Sequence, residues 1–129
     1  MRVVDTSPWI ECLKGSDLGR LLANELPAPT EGLVPTIVQL ERVKWALRES
    51  GAEKAEEIVA FTSTDYTVIL LDTAIAAFAA ELAARHKLAT AGAIIYATAQ
   101  IYGAERVTLS LSPPPNPAIY RAAPHPRIS

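Results

Sequence analysis

The sequence predicts an α/β domain with a central parallel sheet of four to five short strands flanked by helices. Three observations carry this. Short strand-like runs alternate with segments of helical periodicity, the pattern of parallel strands joined by right-handed crossovers. The run Thr67-Val68-Ile69-Leu70-Leu71 is apolar and rich in β-branched residues, which predicts burial on both faces, as in a parallel sheet. The 129 residues are half apolar and 20% charged, with a mean hydropathy of +0.17, enough to bury one core and too few for two domains.

Arg2-Val3-Val4-Asp5 opens the chain as a β-branched strand that stops at an acid. Ser7-Pro8 has the form of an N-cap followed by proline at the first helical position. A second helix is expected over 17–25, with Leu18, Leu21, Leu22 and Leu26 as its apolar face, before Pro27-Ala28-Pro29. Gly32-Leu33-Val34-Pro35 reads as a short buried strand. Thr36 and Gln39 form a capping box for a helix that runs through Ile37, Leu40, Val43 and Leu47 to about Ser50, closed by Gly51. Residues 52–62 predict another helix. After the strand at 67–71, Asp72 caps a helix carrying Ile75, Phe78, Ala79 and Leu82 on one face. From Thr90 to Tyr102 a helix is apolar nearly all round and hence central, with Gly103 at its end. Arg106-Val107-Thr108-Leu109 supplies the last expected strand. Six of the ten prolines fall within 113–126, so residues 111–129 are expected to form a proline-rich tail that neither extends the sheet nor folds as a helix, leaving 1–110 as the domain.

No apolar run reaches the roughly 18 residues of a membrane span. An acid and a proline stand where a secretory signal would be apolar, so no signal peptide is expected. Cys12 is the sole cysteine, which excludes an intramolecular disulfide and a cysteine zinc site; it reads as a small hydrophobe at a helix edge, and a reducing cytoplasm fits. Net charge is −2, which provides no general basic field for nucleic acid. The distribution is uneven. From Arg106 onward there are three arginines (106, 121 and 127) and no acid, which leaves room for a local phosphate contact.

Ligands of open parallel sheets bind beyond the carboxyl ends of the strands, where Asp5 sits. An acid there can equally hydrogen-bond the next helix's amides. Glu41 lies in the second turn of its helix, where its simplest role is a surface pair with Lys44. His86 suits a helix C-terminus, and His125 lies among prolines without a nameable partner. Trp9 and Trp45 read as core or interface anchors. No phosphate-binding glycine loop follows any strand, and no Ser/His/Asp or Cys/His arrangement can be placed. A signalling receiver would need an acid pair after the first strand and a lysine after the last; neither is present.

The opening VVDTSPWIE, the segment PTIVQLE and the run LDTAIAAFAAELAARHKLATAGAIIYATAQIYGAERVT together resemble the PIN domain, specifically VapC-type toxins of toxin–antitoxin pairs, over residues 1 to about 108. The resemblance implies a three-layer PIN-like fold and three or four acids that hold Mg²⁺ or Mn²⁺ for cleaving RNA. Its first two acids fall on Asp5 and Glu41, with Thr6 as a supporting hydroxyl. Its third falls on Gly92 and its fourth on Ser110, where this chain has no acid, and the continuation that normally follows the fourth has become prolines. The resemblance therefore implies a metal-dependent ribonuclease with impaired catalysis, and weak cation binding through two carboxylates. It also implies a small DNA-binding antitoxin as partner, so that DNA is met only indirectly. A homodimer is expected too, with Trp9, Leu13, Leu21 and Leu22 available for either contact. The alternative is a non-catalytic PIN-like module that binds and titrates an antitoxin.

Overall fold

The computed structural model describes residues 1–110 and 118–124. Along the chain run β1 (Arg2–Val4), α1 (Thr6–Lys14), α2 (Asp17–Ala23), a 3-10 turn (Pro29–Glu31), β2 (Gly32–Pro35), α3 (Thr36–Glu49), α4 (Ala52–Asp65), β3 (Thr67–Ile69), α5 (Thr73–His86), α6 (Thr90–Ile101), β4 (Glu105–Ser110) and β5 (Ala118–Ala122). The five strands form one sheet in the order β3-β2-β1-β4-β5. The first four are parallel, with Val3 opposite Leu33 and Arg106, and β5 closes the edge antiparallel to β4. The α/β class and the mostly parallel sheet are as the sequence predicts.

Helices pack against this sheet: α1 on β4, α3 on β2, α4 on β3, and α6 on β1 and β4. Val3, Val4, Val34, Val38, Ile75, Ile95 and Val107 are all but inaccessible and form one continuous core. Burying each of these side chains contributes about 1.5–3 kcal/mol relative to leaving it exposed. A smaller cluster of Ala46, Ala55 and Ile58 holds α3 to α4. Gly19 on α2 is compelled by packing, since a Cβ there would lie 2.2 Å from the carbonyl oxygen of Glu11 on α1. Asp72 caps α5 through its Oδ1, which accepts from the amide of Ile75 at 2.9 Å. No helix among the described residues is long and apolar enough to cross a membrane.

Several local expectations are corrected. The tail does add to the sheet, because Ala118–Ala122 is a proline-free window that pairs residue by residue with β4. Prolines at 117 and 124 bracket this strand rather than interrupt it. The strand at 67–71 ends at Ile69 and lies at the sheet's other edge. Thr67 is exposed, and Leu70 and Leu71 beyond it are 70% and 47% exposed, so burial on both faces fails there. Helix α1 begins at Thr6 with Asp5 as its N-cap, displacing Ser7 from that role. The capping box at Thr36 does not form. The Thr36 hydroxyl accepts from the amide of Leu71 at 3.3 Å, while Gln39 donates to Thr62 and Ser63 on α4.

Candidate functional site

Central strands deliver their last residues to the middle of the sheet's carboxyl edge, and β1 lies between β2 and β4. Asp5 follows β1 directly and continues its ladder, its amide donating to the carbonyl of Val107 at 2.8 Å. Both oxygens of its side chain are engaged. Oδ1 accepts from the amide of Thr6 at 2.7 Å, and Oδ2 accepts from the hydroxyl of Thr108 on β4 at 3.0 Å. The Thr6 hydroxyl donates in turn to Oε1 of Glu41 at 2.6 Å. Thr6 therefore holds one carboxylate on its amide and the other on its hydroxyl. Two acids 36 positions apart in the chain are fastened to a single buried residue. Glu41 turns inward to α1 and makes no surface pair with Lys44.

The structure adds two residues that the sequence pattern did not single out. Thr108 orients Asp5 from the neighbouring strand, a relationship 103 residues long that no local pattern encodes. Arg42, beside Glu41, is 2% exposed, and its guanidinium lies 4.3 Å over the ring of Trp9. Its Nε and Nη1 have no hydrogen-bond partner, and burial lowers its pKa to about 10. Trp9 packs edge-on against Tyr66, with ring centroids 5.6 Å apart. Arg42, Trp9 and Tyr66 clamp α1 to α3 under the two acids. Burial also raises the pKa of Tyr66, and that of the Cys12 thiol, whose Sγ contacts the carbonyl of Gly19 at 3.6 Å. Cys12 is thus a half-buried, packed side chain.

Gly92 lies in the first turn of α6, half-buried, and nothing outside its own helix lies within 4 Å of the position a Cβ would take. Its φ is not positive. Neither backbone geometry nor packing requires glycine here, in contrast to Gly19. Ser110 is the final residue of β4, paired with Ala118, and a further strand, β5, follows it in the chain. His86 ends α5 and stacks on Tyr96, while His125 lies outside the described residues. Of the apolar residues expected at an interface, Trp9 and Leu22 are buried in the core and Leu13 packs on the α3–α4 cluster. Only Leu21, 61% exposed, is free to meet a partner.

Chemically, the site offers hard oxygen donors from two carboxylates. That donor set suits a hard divalent cation, which commonly takes one or two carboxylates and fills its other positions with water and substrate phosphate. The set is sparse: the described residues contain no group of three His, Cys, Asp or Glu side chains placed to hold a metal.

The fold has well-defined relatives among solved structures. A chain of a toxin–antitoxin complex from Klebsiella pneumoniae superposes with a TM-score of 0.71 at 21% identity, over 87% of this chain and 88% of that one. VapC20 of Mycobacterium tuberculosis, a toxin that cleaves the sarcin–ricin loop, gives 0.65 at 24% identity, over 81% and 85%. VapBC2 of Rickettsia felis, solved with a fragment of promoter DNA, gives 0.63 at 15% identity, over 86% and 88%. A search among curated proteins gives no match. The family model of the PIN domain matches residues 2–109, which span the four parallel strands and all six helices, and the chain belongs to the PIN-domain family.

Proposed function

We propose that this protein is the toxin component of a toxin–antitoxin pair, a ribonuclease by descent whose catalysis is impaired by the loss of two acids. The observation that carries the proposal is the convergence of Asp5 and Glu41 on Thr6 at the carboxyl edge of a PIN-type sheet. Structural neighbours that are toxins in complex with antitoxins support the partner. A neighbour that cleaves RNA supports the substrate class.

Asp5 and Glu41 would hold Mg²⁺ or Mn²⁺. A divalent cation, when bound, supplies Lewis-acid stabilisation of charge at a scissile phosphate. The chain's own residues supply orientation. Thr108 and the Thr6 amide fix Asp5, and the Thr6 hydroxyl fixes Glu41, so both carboxylates are preorganised and lose little freedom when a ligand arrives. With Gly92 contributing no carboxylate, the cation that would offset the phosphate charge is held by fewer oxygens, and the rate would fall by orders of magnitude. We further propose a homodimer, for which exposed Leu40, Leu47 and Val59 along the α3–α4 groove provide apolar surface.

The test is cleavage of a structured RNA at millimolar Mn²⁺ by the wild type, by Gly92→Asp, and by Gly92→Asp combined with Asp5→Asn. The expectation is slow cleavage by the wild type, at least about a hundredfold gain in Gly92→Asp, and loss of that gain in the double variant. Cleavage indifferent to Asp5 would overturn the site. A second reading rests on the absence of a three-acid cluster among the described residues: a non-catalytic module that titrates its antitoxin. It predicts tight binding of the antitoxin encoded beside it, with no RNA hydrolysis even in Gly92→Asp.

A further inference from the structure

A second polar recess lies apart from the two carboxylates. It encloses about 260 Å³ between the end of α5, the outer face of α6 and the β4–β5 edge, and is lined by His86, Tyr96, Gln100, Arg106, Ala122 and Pro124 among others. No acid lines it. The Arg106 guanidinium lies 4.4 Å over the ring of Tyr96, and the His86 imidazole stacks on the same ring at 6.0 Å between centroids, 23° from parallel. Arg106 is thus a half-buried cation fixed by stacking.

No ion pair among the described residues offsets its charge. Arg2, Arg20, Arg48 and Arg121 pair with carboxylates, whereas Arg42, Arg85 and Arg106 join none of the ion pairs among the described residues; of these three, Arg42 is buried and Arg85 exposed, and Arg106 lines the recess. The sequence after it holds no Asp or Glu, and the adjacent Glu105 pairs with Arg2. A planar guanidinium held on an aromatic face, with no carboxylate partner among the described residues, suits an anionic oxygen cluster, above all phosphate.

Position connects this recess to the acids. Arg106 and Thr108 are two residues apart on β4, so their side chains emerge on one face, about 6–7 Å apart along the strand. Thr108 is the residue that holds Asp5. We infer that the recess is a backbone-phosphate subsite for a single-stranded RNA, with Arg106 anchoring a phosphodiester on the flank of the one presented to Asp5 and Glu41. The inference rests on the proposed RNA substrate and adds where that RNA lies.

The test measures binding without cleavage, as fluorescence anisotropy of a labelled single-stranded RNA 12-mer in EDTA across a salt series. The proteins compared are the wild type, Arg106→Gln, Arg106→Lys and the remote control Arg20→Gln, each checked for fold by circular dichroism melting. Arg106→Gln is expected to weaken binding about tenfold at low salt and to flatten the logarithmic salt slope by about 0.7, the share of one phosphate on a single strand. Arg106→Lys keeps the slope while losing part of the affinity, which separates a charge contact from a folding defect. Arg20→Gln binds as the wild type does. If the wild type binds RNA and Arg106→Gln matches it in affinity and slope, the subsite is overturned while the RNA substrate stands. If inorganic phosphate binding, followed by calorimetry, depends on Arg106 but RNA binding does not, the recess is a free-anion site and the inference is likewise overturned. If the wild type binds no RNA at all, the failure lies with the proposed substrate, and the subsite falls with it.

Discussion

Two regions that the family resemblance assigns to the site differ sharply. On the α1–α3 side, Asp5, Thr6, Glu41 and Thr108 are tied by short hydrogen bonds, above a clamp made of Trp9, Arg42 and Tyr66. At the start of α6, Gly92 leaves open space where a side chain would stand. The first keeps two carboxylates and the packing that positions them; the second keeps its helix and carries glycine where the resemblance places a third acid. Glycine at this position need not disturb the scaffold, because α6 is held by Ala93, Ile94, Ile95, Ala97 and Ala99, all buried, while Gly92 itself is only half-buried and meets nothing beyond its own helix.

The contrast is broken most severely by Trp9→Ala, which removes the ring between Arg42 and Tyr66. Equilibrium urea unfolding should show a loss of about 3–5 kcal/mol. A loss below about 1 kcal/mol would mean that the clamp does not hold α1 in place. Thr6→Val keeps the shape and cuts the hydroxyl bond to Glu41. A cost of about 1–2 kcal/mol is expected, since a carboxylate oxygen loses a partner in a half-buried setting. The same unfolding measurement checks it, and a neutral result would detach Thr6 from Glu41.

Arg42→Met carries the opposite sign. Burying a guanidinium with two unpartnered nitrogens is unfavourable, and an apolar chain of similar length should raise stability by about 1 kcal/mol. The folded state holds the Arg42 proton less tightly than the unfolded chain does. The cost of its burial is therefore complete below about pH 10 and fades as pH rises through that value towards the ordinary arginine range. The advantage of Arg42→Met, followed by thermal melting, should accordingly shrink above about pH 10; an advantage that grows there contradicts the burial cost. The smallest effect belongs to Gly92. Gly92→Asp fills open space in a first helical turn, where an acid suits the macrodipole and glycine is a poor helix former. Its stability should match or exceed the wild type's by less than about 1 kcal/mol, and a large loss would reveal a hidden role for the glycine.

Much of this was legible in the chain, for reasons that differ by region. Helix α6 announces itself because its residues are apolar all round, and Asp72 because an acid between a strand and a helix has one simple use. The edges of the sheet were harder. Leu70 and Leu71 look like core in a linear sequence, and only the strand order shows that nothing covers them. β5 was obscured by surrounding prolines, although the five residues that pair contain none. Asp5 and Glu41 emerged from their resemblance to a family pattern, since position alone left the first as a turn residue and the second as a surface acid. Thr108 and Arg42 had no such signal. Their roles depend on which elements become neighbours, through contacts with Asp5 and Trp9 that sequence spacing does not record.

The most direct measurement is calorimetric titration of Mn²⁺ into the wild type, Glu41→Gln and Gly92→Asp. Two carboxylates gathered on Thr6 should give weak binding at one site in the wild type, none in Glu41→Gln, and at least about tenfold tighter binding in Gly92→Asp. Equal affinity in all three, or no binding in any, would contradict the existence of a shared oxygen site at Asp5 and Glu41.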